Sequence, residues 1–161
     1  MDEEKTLGII PNLNHRKGFL KYEACNLIVT DRRLILALLT KEMAKEAARK
    51  AREEGEARGE TCLTKAVHTL TAGSTVYERY RTMHPAEILT EATGNFAINL
   101  DEVRSFRVES GEALGSDDAP HPDRLILKTT AGKHVFTFGT KSLSAKEAKV
   151  LLEQALGKSR T

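Results

Sequence analysis

Residues Asn26–Thr40 read NLIVTDRRLILALLT, and the interpretation of this stretch decides the fold. Leu27-Ile28-Val29-Thr30 is a short run rich in β-branched residues. Asp31-Arg32 supply turn chemistry, and every residue from Leu34 to Leu39 is apolar. Two such segments parted by two or three polar residues predict a β-hairpin. In an extended second strand Leu34, Leu36 and Leu38 point one way, while Ile35, Ala37 and Leu39 point the other. A strand with one face in water alternates apolar and polar residues, so this one needs cover on both faces. One cover is the domain's own core. The other comes from elsewhere in the chain or from a partner.

Upstream, Leu7–Leu13 (LGIIPNL) has strand-like apolar residues, but Pro11 predicts an edge position or an early end. Asn14–Lys17 is polar and basic, and Gly18 marks a turn. Phe19, Leu20 and Tyr22 then begin an extended run that merges with Leu27–Thr30.

Downstream of Thr40 the character changes. Lys41–Arg58 (KEMAKEAARKAREEGEAR) contains strong helix formers and no β-branched residue, with Thr40 as its N-cap and Gly55 and Gly59 fraying its end. Ala44, Ala47, Ala48 and Ala51 form a narrow stripe at i, i+3, i+4 and i+7, which permits close approach but buries little. Thr61–Thr82 reads as two helical pieces or one kinked helix, because Ala72-Gly73-Ser74-Thr75 breaks the apolar phase. Pro85 opens a short helix capped by His84 and ended by Gly94. Strands follow at Phe96–Leu100 and Val103–Glu109, around an Asp101-Glu102 turn. Ser110–Asp123 reads as a solvated loop, and Arg124–Thr130 with Lys133–Gly139 as a second hairpin. Ser144 with Glu147 makes a complete capping box, and Leu143 is placed as a staple onto Ala148. Ala148, Leu151, Leu152, Ala155 and Leu156 then make one stripe closed by Gly157. Docking the three leucines stabilises by roughly 4–9 kcal/mol before entropy, so this helix belongs on the sheet.

The chain of 161 residues suits one core with a helical elaboration. Charged residues make up 30% but the formal net charge is only +2, and aromatic residues are 5% with no Trp. That balance argues against a nucleic-acid binder, which needs a basic excess and stacking rings. No signal-peptide core or membrane-spanning run is present, and Cys25 and Cys62 lack a CxxC pattern, so the expected setting is cytoplasmic with reduced thiols.

Three strands, a helical insertion, four more strands and one amphipathic helix resemble the pleckstrin-homology-like (PH-like) superfold. LIVTDRRLILA resembles the TxxRL hairpin of bacterial and archaeal PH-like and GRAM-like domains. FAINLDEVRSFRV is similar to their I-x-L-x-[DE]-[IV] strand and turn, and DRLILKTTAGKHVFTF to their final hairpin. The resemblance covers residues 1–40 and 95–157. It implies an α+β class: one domain over 1–161, a seven-stranded antiparallel barrel with a capping C-terminal helix. Residues 41–93 would be a helical insertion between the third and fourth strands. That block is too long for a plain loop. It is expected to fold over the outer face at Ile35, Ala37 and Leu39, unless an identical chain covers that face instead.

The resemblance also implies where an anionic ligand would sit, since PH domains use cations of the first two strands and their loop. The nearest equivalents are His15, Arg16, Lys17 and Lys21, with Arg32 and Arg33 at the next turn. The plainer alternative is solvated turn charges that keep an exposed strand from pairing, diluted by Glu23 and Asp31.

Among the five histidines none stands at a metal-ligand spacing, and His134, on the parity of Phe136 and Phe138, reads as a core or rim imidazole. His121 with Asp117, Asp118 and Asp123 reads as solvated loop rather than a cation trap. No nucleophile elbow or glycine-rich phosphate loop occurs, and no cofactor is implied. Tyr77 and Tyr80 with Arg79 and Arg81 either face a partner or pack with a ring edge in water. The expected function is therefore a non-catalytic binding module for protein–protein association or self-assembly. Its contact surface would be Ile35, Ala37 and Leu39 with Ala44, Ala47, Ala48 and Ala51. The second expectation, from a different class, is a peripheral membrane module that reads anionic lipid through Arg16, Lys17, Lys21, Arg32 and Arg33.

Overall fold

The computed structural model describes residues 2–111 and 121–159, with backbone alone at 66, 68–70, 158 and 159. Seven antiparallel strands form one sheet: β1 (Thr6–Arg16), β2 (Tyr22–Thr30), β3 (Arg33–Leu38), β4 (Phe96–Asn99), β5 (Val103–Glu109), β6 (Arg124–Thr129) and β7 (Gly132–Phe138). Their order is β4-β3-β2-β1-β7-β6-β5. β4 and β5 lie at opposite ends with no ladder between them, so the sheet is open and the expected barrel does not close. A single 3-10 turn, Leu100–Glu102, joins these end strands and drops Leu100 and Val103 into the core.

The helices are α1 (Lys41–Ala57), α2 (Cys62–Thr71), α3 (Pro85–Glu91) and α4 (Ala145–Ser159), with a 3-10 segment at Ala72–Arg81. Thr40 caps α1 through Met43 N–H at 3.2 Å. The Ser144 box is complete: Ser144 N–H donates to Glu147 at 2.9 Å, and Glu147 N–H donates to Ser144 Oγ at 3.2 Å. Two expected helix ends differ. Gly55 is buried inside α1, where a Cβ would lie 2.7 Å from the Glu60 carboxylate, so it marks a close approach instead of fraying. Gly157 lies within α4, which runs on to Ser159.

β3 separates two cores. Leu34 and Leu36 join Leu27, Leu125, Phe136 and Leu152 beneath α4. Ile35 and Ala37, both 0% exposed, join Ile9, Ile28, Tyr80 and Ile88 on the other face. The second face is thus covered by the chain itself, through the 3-10 segment and α3. Tyr77 and Tyr80 have the spacing of three that a 3-10 turn stacks on one side, and Met83, just past its end, adds a further contact. Tyr80 accordingly faces the sheet, not a partner, and its hydroxyl donates to Glu91 at 2.8 Å. Leu39 lies beyond the end of β3, half-buried.

β1 is not an edge strand, despite Pro11. It lies between β2 and β7, and the proline falls in a register shift between Ile10 and Leu13. Asn12 adopts φ 55°, and its N–H donates to the Asn26 side chain at 2.9 Å instead of to the ladder. β7 pairs with β1 only from Leu13 onward, so no ladder bond is asked of the proline.

Candidate functional site

The turn between β1 and β2 projects from one end of the sheet as a short finger, RKGFLK over residues 16–21. Lys17 N–H donates to Lys21 C=O at 2.7 Å and closes it, and Arg16 Nε donates to Gly18 C=O at 3.0 Å. This closure puts Phe19 and Leu20 at the tip, where they are 84% and 83% exposed. Hydropathy alone assigned both to the start of an extended run. The available signal was Gly18, whose turn sends the next two residues outward before β2 begins at Tyr22.

The expected cation cluster divides in two. Arg16, Lys17 and Lys21 belong to the finger. Arg32 and Arg33 lie at the other end of β2, a strand length or about 30 Å away. Arg33 is also held by Glu4, through Nε at 3.0 Å and Nη2 at 2.8 Å, and Arg32 donates to the Asp2 backbone. Lys133 of β7, which the sequence did not suggest, replaces them. It lines a shallow hollow of about 330 Å³ with Arg16, Lys17, Gly18 and Val135. One carboxylate stands close by, Glu23, 3.5 Å from the Lys17 ammonium. The finger therefore presents two bare apolar side chains together with exposed cations.

Beneath the finger lies a pair of imidazoles. His15 Nε2 and His134 Nδ1 are 3.2 Å apart, and the His15 ring stacks on Phe136 with centroids 4.7 Å apart. Phe96 closes on His134 at 5.7 Å. Burial, then the positive charge of Lys17, lowers the His134 pKa. Burial, with smaller contributions from His134 and Lys17, lowers His15 to about 4. Cys25 nearby is pushed up to about 12 by burial, so its thiol stays protonated and is no nucleophile.

The expected association surface is largely consumed within the chain. Ile35 and Ala37 are sealed under the insertion. Ala44, Ala47, Ala48 and Ala51 are half-buried on α1, which packs on α2 and the 3-10 segment. Ala44 faces Gly73 closely enough that a Cβ there would lie 3.9 Å from its own. Between α1 and the 3-10 segment runs a groove of about 480 Å³, where Met43 and Val76 alternate with Glu46, Lys50, Glu54 and Arg79. Leu63 and Val67, one turn apart on α2, are 77% and 51% exposed.

Among the described residues no three His, Cys, Asp or Glu side chains gather into a metal site, and no helix is long and apolar enough to cross a membrane. Asp117 and Asp118 lie outside the described residues, and so does most of the loop they were read from. No protein-family model, curated protein or solved structure matches the chain.

Proposed function

We propose that this chain is a non-catalytic PH-like module that docks reversibly on anionic membrane surfaces through the β1–β2 finger. The observation that carries the reading is the exposure of Phe19 and Leu20 on a finger that bears Arg16, Lys17 and Lys21, with Lys133 sharing a hollow with Arg16 and Lys17. Two large apolar side chains bare to water at a loop tip are unfavourable unless something receives them. Acyl chains receive apolar tips, and anionic head groups receive the cations around them. Each cation near an anionic leaflet contributes about 1 kcal/mol, and burying Phe19 and Leu20 roughly 3–5 kcal/mol together. After the loss of free motion on docking this suits a reversible contact. The PH-like assignment is supported by the element order and by the hairpin sequences quoted above.

Co-sedimentation with phosphatidylglycerol–phosphatidylcholine vesicles tests the reading. Binding is expected at low salt and weakens as salt rises. Phe19→Ser with Leu20→Ser lowers it at least tenfold, since about 1.4 kcal/mol suffices for that factor. Absence of binding at low salt refutes the proposal.

A second reading, association with a protein or with itself, is favoured by the exposed Leu63 and Val67 on α2. Light scattering over a concentration series examines self-association, and a monomer throughout removes that form of it.

A further inference from the structure

The groove between α1 and the 3-10 segment measures about 480 Å³, within the range of about 300–1,000 Å³ usual for small-molecule sites. Its α1 wall carries two rows of side chains, each stepping by four residues. Met43, Ala47 and Ala51 make an apolar row, and Glu46, Lys50, Glu54 and Arg58 make a charged row beside it. Across the groove the buried Ala72 and Val76 add further apolar lining. From Met43 to Arg58 the wall is about 22 Å long, at about 1.5 Å per residue. The cleft therefore suits a slender apolar body better than a compact polar one.

The charges around it do not cancel. Glu46, Lys50, Glu54 and Arg58 alternate in sign along α1, so that row compensates itself. The facing wall adds Arg79 and Lys141. Arg79 is neutralised by Glu91, which also accepts the Tyr80 hydroxyl. Lys141 has no ion-pair partner among the described residues, so one positive charge is left over. Lys141 also has φ 59°, in the left-handed region where glycine or asparagine sits more easily. The Asn12 side chain holds it there: Nδ2 donates to the Lys141 C=O at 3.3 Å and to the Ser74 C=O at 3.0 Å, tying this turn to the 3-10 wall. A strained backbone that keeps an uncompensated lysine beside an apolar cleft is not something the fold alone calls for.

We infer that this groove binds a small amphiphilic anion, an apolar body with one acidic head as in a fatty acid, and that Lys141 receives the head. The apolar lining takes the body out of water. The surplus charge selects the class: a neutral lipid leaves Lys141 uncompensated, and a dianion exceeds the single charge on offer. The inference is independent of the membrane reading, since the groove and the hollow at the finger share no residue.

The test titrates the full chain with anilinonaphthalene sulfonate, a monoanion whose fluorescence rises on apolar contact, at neutral pH and fixed ionic strength. Saturable binding is expected, with dodecanoate displacing the dye. Lys141→Asn should weaken the dye about threefold to fivefold, and the charge reversal Lys141→Glu about tenfold. Phenylnaphthylamine, the same body without the sulfonate, should bind both variants within about twofold of the parent, because it makes no ion pair. Asparagine tolerates the left-handed backbone, so Lys141→Asn should keep or raise the urea midpoint, which separates lost binding from lost fold. No saturable binding of the sulfonate, no displacement by dodecanoate, or an affinity in Lys141→Glu within about twofold of the parent overturns the inference. So does an equal loss of the neutral dye in that variant, or loss of the signal in Phe19→Ser with Leu20→Ser, which would place the dye on the finger.

Discussion

Truncating Ile88 to Ala tests whether the insertion belongs to the folding unit. Ile88 is 0% exposed and lies on α3 against the face of β3 that carries Ile35 and Ala37. The change removes Cγ1, Cγ2 and Cδ1. At about 0.8 kcal/mol per buried carbon the transfer loss is about 2.4 kcal/mol. Tyr80 and Ile28, also fully buried, hem the space left behind, so incomplete collapse places the total within about 2–5 kcal/mol. For a chain of this size, a loss near 3 kcal/mol lowers the melting temperature by about 6–12 °C. Leu63→Ala, at a position 77% exposed, is the control and should stay within about 0.5 kcal/mol of the parent. Calorimetry reads both. If Ile88→Ala melts with the parent while amides of 72–91 exchange faster, the insertion opens by itself and the shared-core reasoning is wrong.

Three further outcomes follow from the same contacts. His15 titrates at about 4 when folded against an ordinary 6.5, so the unfolded chain takes the proton first. Stability then falls as pH drops from about 6.5 toward 4, by about 2 kcal/mol at pH 5.0, and a urea midpoint unchanged between pH 7.5 and 5.0 would contradict this. Gly139→Ala places a Cβ 2.7 Å from the Asn12 carbonyl, which also accepts the Gly139 N–H, and should destabilise by about 1–3 kcal/mol in urea unfolding. Phe19→Ser with Leu20→Ser, by contrast, should leave the urea midpoint in place, because neither side chain is packed.

Much of the architecture is legible in the residues. The six-residue apolar run predicts a strand covered on both sides, and the insertion over 41–93 is long enough to supply the second cover, although its 3-10 segment and α3 do so and the Ala- and Glu-rich α1 does not. The Ser144–Glu147 box needs only local hydrogen bonds, so it reads directly. What was not legible depends on partners distant in sequence. Pro11 argues against an interior strand until the Asn26 side chain accepts the bond that the ladder misses. Tyr77 and Tyr80, three apart, share a face in either kind of helix, and that much is legible; that the segment tightens to three residues per turn and carries both rings into the core with Ile35 and Ala37 depends on contacts distant in sequence. The cations of the candidate site read as one cluster along the chain. A nine-residue strand separates them in space, and β7 brings in Lys133 from the far end of the sequence.

The order of the sheet also has a kinetic side. β2 and β3 are joined by a tight turn, and β6 and β7 by another, so both pairs form from contacts close in sequence. β3 and β4 are adjacent in the same sheet, yet Leu36 finds Phe96 only after the whole insertion has been gathered between them. Compared with a four-residue turn, closing that excursion adds about 2 kcal/mol of chain entropy. β4 is therefore expected to register late, as is β7 on β1 across a still longer excursion, and the nascent three-strand meander waits with Ile28 and Ile35 bare until α3 arrives. Exposed apolar surface of that kind is what makes a folding intermediate prone to aggregate, so that interval is where this chain is expected to be vulnerable.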